Sequence, residues 1–102
     1  MEYEILQLKA DKPGYRFMEY DFAKKWGFDL DDYDVVYGGR LDDAIASDEA
    51  RLNAWMDNLF NDFNVNIPTG FGGHSLSVSD IIRLGDGRMF YVDAFGFIEI
   101  QG

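Results

Sequence analysis

The stretch from Gly70 to Ile100, GFGGHSLSVSDIIRLGDGRMFYVDAFGFIEI, constrains this chain most, because turn residues fall between runs that suit strands. Ile81, Ile82 and Leu84 form a short apolar run, Gly85-Asp86-Gly87 is turn chemistry, and Met89 to Val92 resumes with aromatic and β-branched residues. The pattern predicts a hairpin. Asp93-Ala94-Phe95-Gly96 interrupts it, and Phe97, Ile98 and Ile100 continue as a last short strand broken by Glu99. Gly96 permits a bulge or a close backbone approach, and Gly72-Gly73 a tight entry. A small antiparallel sheet results, onto which the earlier residues pack.

Upstream, Glu2 to Lys9 sets Tyr3, Ile5 and Leu8 against charged neighbours and reads as a first strand. Asp11-Lys12-Pro13-Gly14 ends it, since proline removes a ladder donor and glycine accepts turn dihedrals. From Arg16 to Trp26, the spacing of Phe17, Tyr20, Ala23 or Lys24, and Trp26 fits a short amphipathic helix. Phe22 adds to its apolar face, and Gly27 sits where a left-handed cap closes it. Tyr33 to Tyr37 predicts a second strand, stopped by Gly38-Gly39. Ser47 is placed to cap a longer helix whose first turn carries Asp48 and Glu49. Leu52, Trp55, Met56, Leu59, Phe60 and Phe63 then recur at steps of three and four, with Arg51, Asn53, Asp57, Asn58, Asn61 and Asp62 opposite. Asn64 to Pro68 ends that helix. The order is strand, helix, strand, helix and three strands. It predicts an α+β single small domain, with a mixed or antiparallel sheet and two helices packed on one face. At 102 residues, with 47% apolar and 17% aromatic side chains, one core is enough, and no repeat or linker divides it.

Charge carries the most functional information. The net charge is -10, which repels phosphate backbones and anionic membranes and makes basic protein grooves the natural partners. Between Asp29 and Asp62 stand Asp29, Asp31, Asp32, Asp34, Asp42, Asp43, Asp48, Glu49, Asp57 and Asp62 against Arg40 and Arg51 alone, a balance of -8. On one face of a folded scaffold, these spaced anionic groups would imitate a phosphate backbone. The chain has no cysteine, and Glu2 and Glu4 follow Met1 where a signal peptide would be basic and then apolar. With no transmembrane run either, the expected location is the cytoplasm.

Other chemistry is less well supported. His74, Ser75, Ser77, Ser79 and Asp80 supply the residue types of a nucleophile, base and orienter, but without the strained glycine-serine elbow of a hydrolase. The preferred reading is a loop locked by His74, in which Ser79 or Asp80 satisfies turn amides. Asp29-Leu30-Asp31-Asp32 lacks the glycine and closing glutamate of a calcium loop, and one histidine without cysteine makes a poor zinc site. Gly70, Gly72 and Gly73 have no following lysine to clamp phosphate. Phe90, Tyr91, Phe95 and Phe97 lack the basic groove of a base-stacking platform, so they read as core. No catalytic residue, metal or cofactor is expected.

Phe63-Asn64 with Pro68, the run from Gly73 to Ile82, and Tyr91-Val92-Asp93-Ala94-Phe95-Gly96-Phe97 together resemble the YodL-like domain family of bacteria and their mobile elements. The likeness is loose in the first half and close from about Asn64. It implies a small domain of plasmids, conjugative elements and phages, often beside anti-restriction genes, with no general enzymatic activity. The acidic middle segment lies outside the motif. The expectation is a non-catalytic acidic protein that inhibits a host CRISPR effector or restriction enzyme by nucleic-acid mimicry. The alternative is a regulatory module that binds a host protein through the Gly70 to Ser79 loop, with acidity serving solubility.

Overall fold

The computed structural model describes residues 1–9, 17–65, 76–94 and 96–100. Strand β1 (Glu2–Leu8) leads to helix α1 (Tyr20–Trp26), a single 3-10 turn (Leu30–Asp32) and strand β2 (Tyr33–Arg40). Helices α2 (Asp43–Ala46) and α3 (Glu49–Val65) follow, and β3 (Ile81–Leu84), β4 (Met89–Asp93) and β5 (Gly96–Ile100) complete the domain. The five strands form one antiparallel sheet in the order β2-β1-β3-β4-β5. The expected hairpin is β3-β4, and the first strand fits beside β3, pairing Ile5 with Ile82. The chain is thus an α+β domain with an antiparallel sheet.

The sheet is apolar on both faces, and this decides where the helices go. Tyr3, Ile5, Ile82, Leu84 and Phe90 form one cluster with Leu52, Met56, Leu59 and Phe63 of α3. Leu6, Leu8, Ile81 and Tyr91 form the other with Ala23 of α1 and Tyr33, and Tyr20, Phe28 and Leu30 pack on it. The two helices therefore lie on opposite faces, not together on one. The reason is the pleat: neighbouring residues such as Ile81 and Ile82, or Phe90 and Tyr91, point to opposite sides, so uninterrupted apolar runs need cover on both.

Three local expectations also change. Gly38-Gly39 does not stop β2, which continues to Arg40. A Cβ on Gly39 would sit 2.6 Å from the Tyr3 hydroxyl oxygen, so the missing side chain makes room for a cross-strand ring that Trp55 packs edge-on at 4.8 Å. The strand instead kinks at Val36, the extra residue where Ile5 pairs with Tyr37 and Leu6 with Val35. Ser47 closes α2 instead of opening α3, and its hydroxyl bonds the Asp43 carbonyl. The cap of α3 is Asp48, whose carboxylate accepts from the Arg51 amide at 3.1 Å.

Helix α1 begins at Tyr20, with Gly27 in the left-handed conformation as its cap, φ 90°. Its inward face is narrower than expected. Of the expected apolar residues, Tyr20 and Ala23 face the sheet, whereas Phe17, Phe22 and Trp26 are 62%, 54% and 63% exposed. The Pro13-Gly14 turn, the Gly72-Gly73 entry and Pro68 lie outside the described residues. Among the described residues no helix is long and apolar enough to cross a membrane.

Candidate functional site

The ten central carboxylates divide between two places. Asp29, Asp31, Asp32 and Asp34 belong to the 3-10 turn and the start of β2, where Leu30 and Tyr33 pack on the α1 side of the sheet. Asp29 is committed locally, since its Oδ1 accepts from the Asp31 amide at 2.9 Å and caps the turn. Asp42, Asp43, Asp48, Glu49, Asp57 and Asp62 are carried by α2 and α3 with their flanking residues, on the other side of the sheet, and all six are exposed. Strand β2 (Tyr33–Arg40) connects the two groups in the chain, and α3 folds back beside it, since the Phe63 ring lies 5.0 Å from that of Tyr37.

Within the helical group some charge is already engaged. Asp43 Oδ1 lies 2.7 Å from the Met1 ammonium, and that hydrogen bond, then the attraction of the charge, holds its carboxyl below the usual range. Arg51 Nε sits 3.8 Å from Asp48 Oδ2. Asp57 and Asp62 project from α3 with Asn53, Asn58 and Asn61, opposite the stripe that packs on the sheet. Asp62 also acts inward. Burial first, then the nearby Tyr37 and the Asp62 charge, push the Tyr3 phenol up to about 12.

The serine and aspartate motif acts as a fastener. Asp80 is buried, and its Oδ2 accepts from the Ser77 amide at 2.8 Å and from Gln7 Nε2 at 3.0 Å. Ser79 is buried at φ 86°, a conformation that costs about 1–3 kcal/mol for a residue with a side chain. Surrounding bonds hold it there. Its amide donates to the Val92 carbonyl, its carbonyl accepts from the Tyr33 hydroxyl at 2.5 Å, and its Oγ accepts from the Phe17 amide at 3.0 Å. Ser79 and Asp80 thus satisfy backbone amides, as turn chemistry predicts. Ser77 Oγ is buried and finds no hydrogen-bond partner among the described residues. His74 and Ser75 lie outside those residues, with the rest of the loop from Gly70. No group of three histidine, aspartate or glutamate side chains able to hold a metal occurs among the described residues.

Two features escaped the sequence. An open groove of about 710 Å³ runs between the first half of α3 and β5, with Leu52, Met56, Phe90 and Phe97 below and Glu49 and Glu99 among its polar lining. It exists because α3 leaves the last strand of its face uncovered, a matter of packing that spacing does not encode. The second is the outward aromatic face of α1. The spacing already contained Tyr20 and Ala23, which face the sheet, but seven residues are too few for periodicity to separate them from Phe22 and Trp26.

No curated protein and no solved structure matches the chain. A family model described as YodL-like domain matches residues 2–102, which is essentially its whole length. The chain therefore belongs to the YodL-like domain family.

Proposed function

We propose that this domain is a non-catalytic acidic inhibitor that binds the basic nucleic-acid channel of a cytoplasmic host defence enzyme, of the CRISPR effector or restriction type. The observation that carries this reading is the helical group of six exposed carboxylates, Asp42, Asp43, Asp48, Glu49, Asp57 and Asp62. Helix α3 has 17 residues and so spans about 25 Å. Over that length a single nucleic-acid strand carries about seven phosphates and a duplex about fifteen. Along that length α3 carries Glu49, Asp57 and Asp62 with Asp48 at its cap, nearer the sparser spacing, which favours a channel that holds one strand. The adjoining groove supplies what charge alone does not, an apolar floor beside a polar lining of Glu49, Glu99 and Arg88 where a partner side chain can be desolvated. The buried positions of Ser79 and Asp80 add nothing to a contact surface at the loop.

The test is protection of phage or plasmid DNA in hosts that carry a defined CRISPR effector or restriction enzyme, followed by binding to the purified enzyme. Asp42→Asn, Glu49→Gln, Asp57→Asn and Asp62→Asn together spare Asp48, the helix cap, and Asp43, the ion-paired residue. Their combined loss should weaken binding by on the order of 100-fold at low salt, from a few tenths to 1 kcal/mol per charge. Inhibition that survives the four changes, or binding indifferent to ionic strength, would remove mimicry as the mechanism.

A further inference from the structure

The sheet ends in two strands that are paired on one side only, and the two ends are built differently. At one end β2 kinks at Val36, carries the exposed Asp34 and Arg40, and has glycine at 38 and 39. A bulge, charges and glycines of this kind discourage a further strand. At the other end β5 follows β4 in unbroken register, from Asp93 with Gly96 to Met89 with Ile100. It holds no proline, no lysine and no bulge, and Ile98 is 36% exposed. Among the described residues no strand pairs with its outer edge. In an antiparallel ladder every second residue turns its N–H and C=O away from the strand it pairs with. The five residues of β5 therefore present a row of main-chain donors and acceptors about 17 Å long.

Beside that edge lies the groove under α3. Phe97 and Glu99 stand on the α3 side of β5, where Leu52, Met56 and Phe90 form the groove floor, and Ile98 and Ile100 point to the other side. Charge selects what can lie there. Glu49 and Glu99 are exposed, and among the described residues neither has an ion-pair partner. Arg88, the cation of the lining, is committed elsewhere: its Nε donates to Asp86 Oδ2 at 2.9 Å and its Nη2 to the Ala46 carbonyl at 2.7 Å. The lining is left anionic. A second copy of β5 would bring its own Glu99 and a net charge of -10 against these carboxylates, and a phosphate chain would be repelled likewise. A segment with lysine or arginine on both sides of an apolar residue complements the carboxylates and the floor together.

We infer that β5 and its groove take up a basic, extended segment of a partner protein by strand addition. The segment's backbone pairs with the outer edge of β5, one apolar side chain enters the groove, and flanking lysine or arginine side chains reach Glu49 and Glu99. Main-chain pairing supplies affinity, and the side chains at alternate positions supply the choice of sequence. Recognition of this kind does not depend on the inhibitor reading, since the segment is chosen by its own chemistry whatever protein carries it.

The probe is the peptide acetyl-Thr-Lys-Val-Leu-Val-Lys-Thr-amide, in which the leucine and both lysines fall on one side of an extended chain. It is titrated to about 2 mM into the isotopically labelled 102-residue chain and followed by amide correlation spectra. The amides of residues 96–100 and of the first half of α3 should shift ahead of all others. N-methylation of the leucine and N-methylation of the two valines block opposite edges of the peptide, so one should abolish binding and the other leave it within about twofold. Glu99→Lys, at an exposed position, should weaken binding about tenfold while the spectrum stays dispersed. No shift at the highest peptide concentration overturns the inference, and so do two N-methylated peptides that behave alike. Amides of β5 that shift with protein concentration alone overturn it too, because a second copy then occupies the edge. Enzyme inhibition enters none of these readouts, so failure here leaves the inhibitor reading standing, and the reverse.

Discussion

The two faces of the sheet are built by different physics. Under α3, side chains from one regular helix, Leu52, Met56, Leu59 and Phe63, meet Tyr3, Ile5, Ile82 and Leu84, and apolar burial supplies most of the cohesion. Under α1 the helix contributes one fully buried residue, Ala23, and aromatic rings fill the remaining space: Tyr20, Phe28, Tyr33 and Tyr91 lie 5.0 to 5.9 Å apart. There the chain is fastened by hydrogen bonds in which Ser79 and Asp93 side chains accept from backbone amides and the Tyr33 and Tyr91 hydroxyls donate to backbone carbonyls. A stripe of apolar residues makes a face that tolerates local change and fails as a unit. A set of single fasteners makes one that can loosen without unfolding the rest.

The largest effect should come from the first face. Met56→Ala removes a buried side chain between α3 and the sheet, and should cost about 2–4 kcal/mol in urea unfolding with one cooperative transition. If only α3 amides lose exchange protection, the face is not the cooperative unit described. Next comes Tyr3, on the same face. Its phenol is raised from 10.0 to about 12, so the stability tied to its neutral form is complete below pH 10 and is lost as pH rises toward 12. About 2 kcal/mol should disappear over that window, and Tyr3→Phe should remove this component of the alkaline loss. An ultraviolet titration in which all tyrosines ionise near pH 10 would contradict it.

The smallest effect sharpens the contrast. Asp93→Ala deletes the cap of α1 and should cost only ~1 kcal/mol. Hydrogen exchange should speed up across residues 17–26 while α3 keeps its protection. Equal loss in both helices would mean that the two faces are not independent.

Legibility in the sequence follows the same division. The stripe from Leu52 to Phe63 repeats over enough turns to define one face, and all its members pack against the sheet. The Gly85-Asp86-Gly87 turn lies where its chemistry places it, with Gly87 at φ 98° and the Asp86 carboxylate accepting from the Arg88 amide. For α1 the apolar spacing ran through Phe17, Tyr20, Ala23 and Trp26 with Phe22 added, yet of these only Tyr20 and Ala23 face inward, because rings on β4 and after α1 receive them. Gly38-Gly39 read as a stop, since nothing local announces that the Tyr3 ring will lie across Gly39. For the candidate site, the number of carboxylates was plain from the sequence. Their division into a turn group and a helical group was not, because it depends on which side of β2 each element folds over.

By itself the sequence determined the elements that rest on short-range forces: the period of α3, the hairpin turn, the glycine cap of α1 and the overall negative charge. The tertiary structure decided which face each helix covers, which aromatic rings remain outside, and which carboxylates stand together. Those outcomes depend on contacts such as Tyr20 with Asp93 or Gln7 with Asp80, each spanning 73 residues. No local pattern encodes such a partner, since it exists only once the strands have paired and the two faces of the sheet have been filled.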